Sequence, residues 1–139
     1  MIFFLDDWIS PEAWGVDWRE SGVIRQTVKP DTPIPHVATD DICREAARVF
    51  EHPEKSICRI WELVGELTTY PAIGQTLSKL WNRPMRFEEL PESEADAPDR
   101  IVAGGAYTAD VSSLEQEFGF RLTTFEEYVV RILDERRPL

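Results

Sequence analysis

The sequence predicts an α/β domain in which a small sheet of short strands is covered by three amphipathic helices. Three observations lead there. One apolar spacing, i, i+4, i+7, i+8, recurs at Ile42/Ala46/Val49/Phe50, Ile73/Leu77/Leu80/Trp81 and Phe125/Val129/Ile132/Leu133, which draws one stripe on each of three helices. Short β-type runs bounded by Gly and Pro lie between them. The chain has 139 residues, 42% of them apolar, enough for one domain with its own core, so residues 1–139 are read as a single unit.

Taken in order, Met1 to Ile9 is an apolar start interrupted by Asp6 and Asp7, either a short helix or the end of a strand. Ser10-Pro11-Glu12 reads as an N-cap followed by Pro at the first helical position, with a helix to about Trp14. Val23 to Val28 reads as a strand after Gly22, and Lys29 to Pro33 as a turn. Ile34 to Ala38 is a short extended run. It leads straight into a helix at which Thr39, Asp40 and Asp41 offer oxygens to the free N–H groups, and Pro53 ends that helix. This strand-to-helix joint is the pivot of the predicted fold.

Beyond it, Ile57 to Val64 reads as a buried strand closed by Gly65. A helix follows over about Tyr70 to Asn82 with Pro71 early, and Met85 to Leu90 alternates like a strand. Residues 91–100 are read as an acidic surface loop, since Glu88 to Asp99 holds six carboxylates and no basic residue. Gly104-Gly105 makes a flexible joint. Asp110 caps a short helix over Val111 to Phe118, and Gly119 stops it. Thr123 or Thr124 caps the last helix, and Thr124 with Glu127 fits a capping box.

Charge and composition narrow the partners. Asp and Glu number 26 against 15 Lys and Arg, a net charge of −11, which disfavours nucleic acid and anionic membrane because phosphate binding needs clustered cations. The apolar start spans only Met1 to Leu5 before Asp6, too short for a signal peptide or a membrane span. Cys43 and Cys58 show neither metal spacing nor CxxC. They read as two reduced, partly buried thiols of a cytoplasmic protein, with a single disulfide as the alternative.

No catalytic motif is present: there is no G-x-S-x-G, HExxH, P-loop or paired CxxC. Asp6-Asp7 and Glu88-Glu89 are neighbours in sequence, not carboxylates held face to face for acid–base work. His36 with Asp40 and Asp41 has a metal-like spacing, but helix capping accounts for both carboxylates, so no metal is expected. His52 reads as an exposed residue or a partner of the helix dipole. Phe3, Phe4, Trp8, Trp14 and Trp18 form a dense aromatic group, either packed core or a surface for a partner chain or a hydrophobic ligand.

Several stretches in order resemble the C-terminal half of the NmrA-like proteins, a branch of the atypical short-chain dehydrogenase/reductase superfamily. Phe3-Phe4-Leu5-Asp6-Asp7 resembles the run that follows that family's central sheet, and Gly22-Val23-Ile24 its Gly-x-Ile strand. Pro35 to Ile42 resembles its strand leading to an Asp-Ile helix start. Trp61 to Gly65, with Leu67-Thr68-Thr69, resembles its next segment and Thr-capped helix. Leu80 to Phe87 resembles its helix end at Gly-Arg-Pro, with Asn82 in place of the Gly, and Phe118-Gly119 with Thr123 to Val129 resembles its final helix.

The resemblance implies the substrate-binding lobe of an NAD(P)-dependent oxidoreductase or redox-sensor relative. That family's dinucleotide site is a Gly-rich turn in the N-terminal half. None of the seven glycines here makes such a turn, so no cofactor is expected to bind this chain alone, and no catalytic residue is assigned. The residues expected to contact a small hydrophobic substrate are Phe3, Phe4, Trp8, His36 and Tyr107, with a satisfied structural histidine as the alternative for His36. The alternative is a stand-alone interaction module that pairs through its aromatic N-terminus, with a second copy or with a separate dinucleotide-binding subunit.

Overall fold

The structure, a computed structural model, describes residues 3–8, 18–95, 97–105 and 109–135. Its framework is mixed α/β, built on two small sheets. In the first, β1 (Phe3–Phe4) runs parallel to β3 (Ile34–Val37), which pairs antiparallel with β4 (Glu66–Thr68). In the second, β2 (Val23–Gln26) runs parallel to β5 (Arg86–Glu89). The helices are α1 (Trp18–Ser21), α2 (Thr39–Glu51), α3 (Tyr70–Trp81), α4 (Ala97–Ala103), α5 (Val111–Phe118) and α6 (Phe125–Glu135).

The N-terminal stretch is both a strand and a helix: β1 passes at once into a 3₁₀ turn over Leu5–Trp8. The helix expected from Ser10 to Trp14 lies outside the described residues. α3, α5 and α6 end or begin as their sequences imply. Ala72 N–H donates to Thr69 Oγ1 at 3.3 Å, and Asn82 takes the left-handed conformation at φ 48°. Ser113 N–H donates to Asp110 Oδ1 at 3.1 Å, and Gly119 closes α5 at φ 75°. At α6, Thr124 N–H donates to Glu127 Oε2 at 3.0 Å while Glu127 N–H returns to Thr124 Oγ1 at 3.3 Å, which is the capping box.

The core lies where α3 and α6 meet the aromatic N-terminus. Ile73, Leu77, Phe125 and Tyr128 are buried against Phe3, Leu5, Trp8 and Trp18. Trp81 stacks on Trp18 at 5.4 Å between ring centres, and Tyr70 stacks on Phe87 at 5.9 Å. Gly65 is required where the chain crosses itself: a Cβ there would sit 2.9 Å from the carbonyl oxygen of Thr123.

Four expectations are corrected. Ile57 to Val64 is not a buried strand. Ile57 is 71% and Ile60 95% exposed, Cys58 sits at φ 60°, and the strand forms later at Glu66–Thr68. A strand needs a ladder, and the free edge of β3 is met by Gly65 N–H, which donates to the His36 carbonyl, and by the residues after it. The start of α2 is not capped by its own side chains. Thr39 N–H and Oγ1–H both donate to Asp6 Oδ2, at 3.1 and 2.6 Å, so the cap comes from the N-terminal turn. Residues 91–100 hold a 3₁₀ turn and the beginning of α4, and Asp99 is buried and accepts from the Thr27 hydroxyl. Cys43 and Cys58 are free and exposed rather than partly buried.

Candidate functional site

Three of the five expected site residues come together. Burial leaves His36 no solvent-accessible surface, with both ring nitrogens engaged. An indole can only donate, so the Trp8 Nε1–H donates to His36 Nε2 at 3.2 Å, and the remaining proton sits on Nδ1 and donates to the Ile34 carbonyl at 3.1 Å. Burial pushes the His36 pKa down to about 4 against the opposing pull of that carbonyl. The ring is therefore neutral at physiological pH. The Phe3 ring centre is 6.0 Å from His36, and Phe125 packs edge-on to Trp8 at 5.5 Å.

Phe3 and Trp8 are buried with His36, so this group is packed wall. Phe4, on the opposite face of β1, is 45% exposed. Tyr107 lies outside the described residues.

Beneath Trp8, Asp6 ties three elements. Its carboxylate accepts from Thr39 of α2 and from the Tyr128 hydroxyl of α6 at 3.1 Å. Burial raises the Asp6 carboxyl, but the bonds from Thr39 and Tyr128 outweigh it and hold the group below the usual carboxylate range. Burial, then the adjacent Asp6 charge, raises the Tyr128 phenol. Asp7 is raised by burial, with the Asp6 charge adding to it.

A second arrangement has no simple sequence signal. Four consecutive backbone N–H groups leading into α6 each donate to a carboxylate. Leu122 donates to Glu115 at 2.8 Å, Thr123 to Asp41 at 2.7 Å, Thr124 to Glu127 at 3.0 Å and Phe125 to Glu66 at 2.6 Å. Only the Thr124–Glu127 pair was readable in advance; the others join residues 7, 82 and 59 apart. Arg121 and Arg131 border an open depression of about 250 Å³ here, and each is paired, to Glu127 at 3.0 Å and to Asp40 at 2.8 Å.

The third feature is apolar. On α2 the buried side chains are Asp41 and Glu45, while Ala46 and Phe50 face out. A groove of about 270 Å³ runs along this face, walled by Ile42, Val49, Phe50, Trp61, Leu63 and Phe118. Arg48 is bonded to Glu45 at 2.7 and 2.8 Å and lies over the Phe118 ring. Among the described residues, no group of three or more His, Cys, Asp or Glu is placed to hold a metal, and no helix is long and apolar enough to cross a membrane.

The fold is one found in NADPH-dependent reductases. Solved structures of NADPH-dependent quinone oxidoreductase QOR2 from Escherichia coli match it at 21% identity over 82% of this chain. One gives a TM-score of 0.60 and the other, complexed with NADPH, 0.61. The chain spans less than half of those proteins, 47% and 46% of their length. No family model and no curated protein matches the sequence.

Proposed function

We propose that this chain is the substrate-side lobe of a cytoplasmic NAD(P)-dependent oxidoreductase of NmrA-like type, and that alone it neither grips the dinucleotide nor transfers hydride. The observation that carries this reading is the fold match to under half of an NADPH-bound reductase. The helix ends agree with it. A pyrophosphate is held by free N–H groups at a helix N-terminus, and among the described residues the start of α2 is met by Asp6, of α3 by Thr69, of α5 by Asp110 and of α6 by Glu127 and Glu66. In this reading a small hydrophobic substrate, such as a quinone, rests against Phe4, with Phe3, Trp8 and His36 as the rigid backing that shapes the surface.

Calorimetric titration of the chain with NADPH tests the first half of the claim: no heat of binding is expected, and micromolar affinity overturns it. Quenching of tryptophan fluorescence by a soluble benzoquinone tests the second. Saturable quenching that Phe4→Ala weakens supports it, and linear, collisional quenching unchanged by Phe4→Ala removes it.

A second reading, a stand-alone interaction module, is favoured by one observation: the apolar stripe of α2 is only partly covered, with Ala46 and Phe50 exposed and Ile42 and Val49 half-buried. Phe3 and Trp8 are inside the core, so in this reading the contact surface belongs to α2 rather than to the aromatic N-terminus.

A further inference from the structure

We propose that Trp8, Trp18 and Trp81 form a relay that carries a one-electron oxidising equivalent out of the aromatic core to the surface, taken from an oxygen-centred radical and discharged by a soluble thiol. This redox route does not depend on a substrate at Phe4.

The three rings make a continuous path. Trp8 and Trp18 meet edge-to-face at 5.6 Å between ring centres, and Trp18 and Trp81 stack at 5.4 Å with their planes 2° apart. Rings this close are in van der Waals contact, so their π systems overlap and an electron passes without either ring moving. Trp8 and Trp18 are buried and Trp81 is half-buried, so the path leads from inside to outside. Indole gives up an electron more readily than any other aromatic side chain. Phe125, edge-on to Trp8, is too hard to oxidise, and Tyr70 leads only to Phe87, on which it stacks.

The charge also runs downhill along it. A cation in an apolar interior is costly, and His36 eases that cost at Trp8. The Trp8 Nε1–H donates to His36 Nε2 at 3.2 Å. When the indole loses its electron, the proton crosses this bond, and the positive charge rests on an imidazolium whose Nδ1–H is held by the Ile34 carbonyl at 3.1 Å. Burial keeps the His36 pKa near about 4, so the proton is lent and returns once Trp18 reduces Trp8. The charge then spreads over the stacked Trp18–Trp81 pair. Trp81 is the last residue of α3, where the negative end of the helix dipole favours a positive charge, and its open side is solvated by water. The net charge of −11 acts in the same sense.

The steps balance. An alkoxyl radical takes one electron from Trp8 and one proton from solvent and leaves as the alcohol. Trp18 reduces Trp8, and Trp81 reduces Trp18. A thiol gives its electron to Trp81 and its proton to solvent, and leaves as the thiyl radical. The three indoles end unchanged, with the Trp8 proton back on Nε1.

Flash photolysis of the full chain tests the proposal. A ruthenium polypyridyl photo-oxidant is attached at Phe4→Cys in a Cys43→Ser/Cys58→Ser background, on exposed β1 surface and four residues before Trp8. An indole radical is expected after the flash, erased by glutathione in proportion to its concentration. Peptide mapping after repeated flashes without thiol is expected to find added oxygen on Trp81. Trp18→Phe keeps an aromatic ring in place and is expected to abolish both the glutathione response and the oxidation of Trp81, leaving a long-lived radical on Trp8. Trp81→Phe, a half-buried change that spares the core, is expected to abolish the glutathione response as well, and Tyr70→Phe to alter neither readout. Circular dichroism checks that each variant is folded. Oxidation that stays on Trp8 in the chain with all three indoles, a Trp81 yield that survives Trp18→Phe, or a yield lost with Tyr70→Phe overturns the proposal.

Discussion

α2 and α3 carry the same apolar spacing and meet opposite fates. In α3, Ile73 and Leu77 are each 1% exposed; in α2, Ala46 and Phe50 face solvent while Asp41 and Glu45 point inward. The spacing defines a stripe, but what covers it is decided elsewhere. α3 lies against β5 and α6. α2 is anchored from its polar side, by Asp6 at its first turn and by Asp41, which reaches Thr123. One helix is held by burial and the other by hydrogen bonds.

The sharpest way to break this contrast is to remove equivalent apolar bulk from both. Leu77→Ala is expected to cost about 3 kcal/mol, within the usual range for a buried leucine, while Phe50→Ala measured at monomer concentrations is expected to change stability by less than ~0.5 kcal/mol. Urea unfolding gives both values. Equal losses would mean that α2 is covered after all.

Next in size is the response to acid. The unfolded His36 takes up its proton near its ordinary value of 6.5, whereas in the folded chain burial delays this to about 4. The unfolded state therefore binds more protons across that window, and stability falls as pH drops through it. The full difference amounts to ~3 kcal/mol. His36→Gln is expected to flatten this part of the pH–stability curve, which thermal melts between pH 7 and pH 4 will show. Asp6 works in the same direction at lower pH, because its folded pKa lies below its ordinary value and its contribution is lost as pH falls through it.

The polar anchoring of α2 yields the next effect. Asp41→Ala leaves the Thr123 N–H without its carboxylate and is expected to cost about 2 kcal/mol. Thr124→Ala removes a single capping hydroxyl and is expected to cost about 1 kcal/mol. If Asp41→Ala costs no more than Thr124→Ala, the α2 anchor is weaker than its geometry implies.

What was legible in the sequence follows the same division. Local signals held: Asp110, Thr124 with Glu127, Asn82 and Gly119 mark helix ends because cap and helix lie within a few residues. The mixed α/β class was equally readable, since it rests on periods within single elements. Ile57 to Val64 misled because continuous apolar character is shared by a buried strand and by a surface awaiting cover, and only the ladder partner of β3 tells them apart. Of the expected site residues, Phe3, Trp8 and His36 lie together in the structure. Packed core was one of the two readings open for the aromatic group, and what decides it is α6, arriving from the far end of the chain with Phe125 closing over Trp8. The capping of α2 by Asp6 was hidden for the same reason, as was the gathering of carboxylates on 122–125.

That gathering divides the molecule's acidity into two populations. Residues such as Glu51, Glu54 and Glu92 lie in water and can be exchanged for neutral or basic ones at little cost. Asp41, Glu66, Glu115 and Glu127 instead do for four amide hydrogens what a bound anion does elsewhere: the chain acts as its own ligand. Any redesign that lowers the net charge has to spare these four, because each one removed leaves a vacant berth at the head of α6.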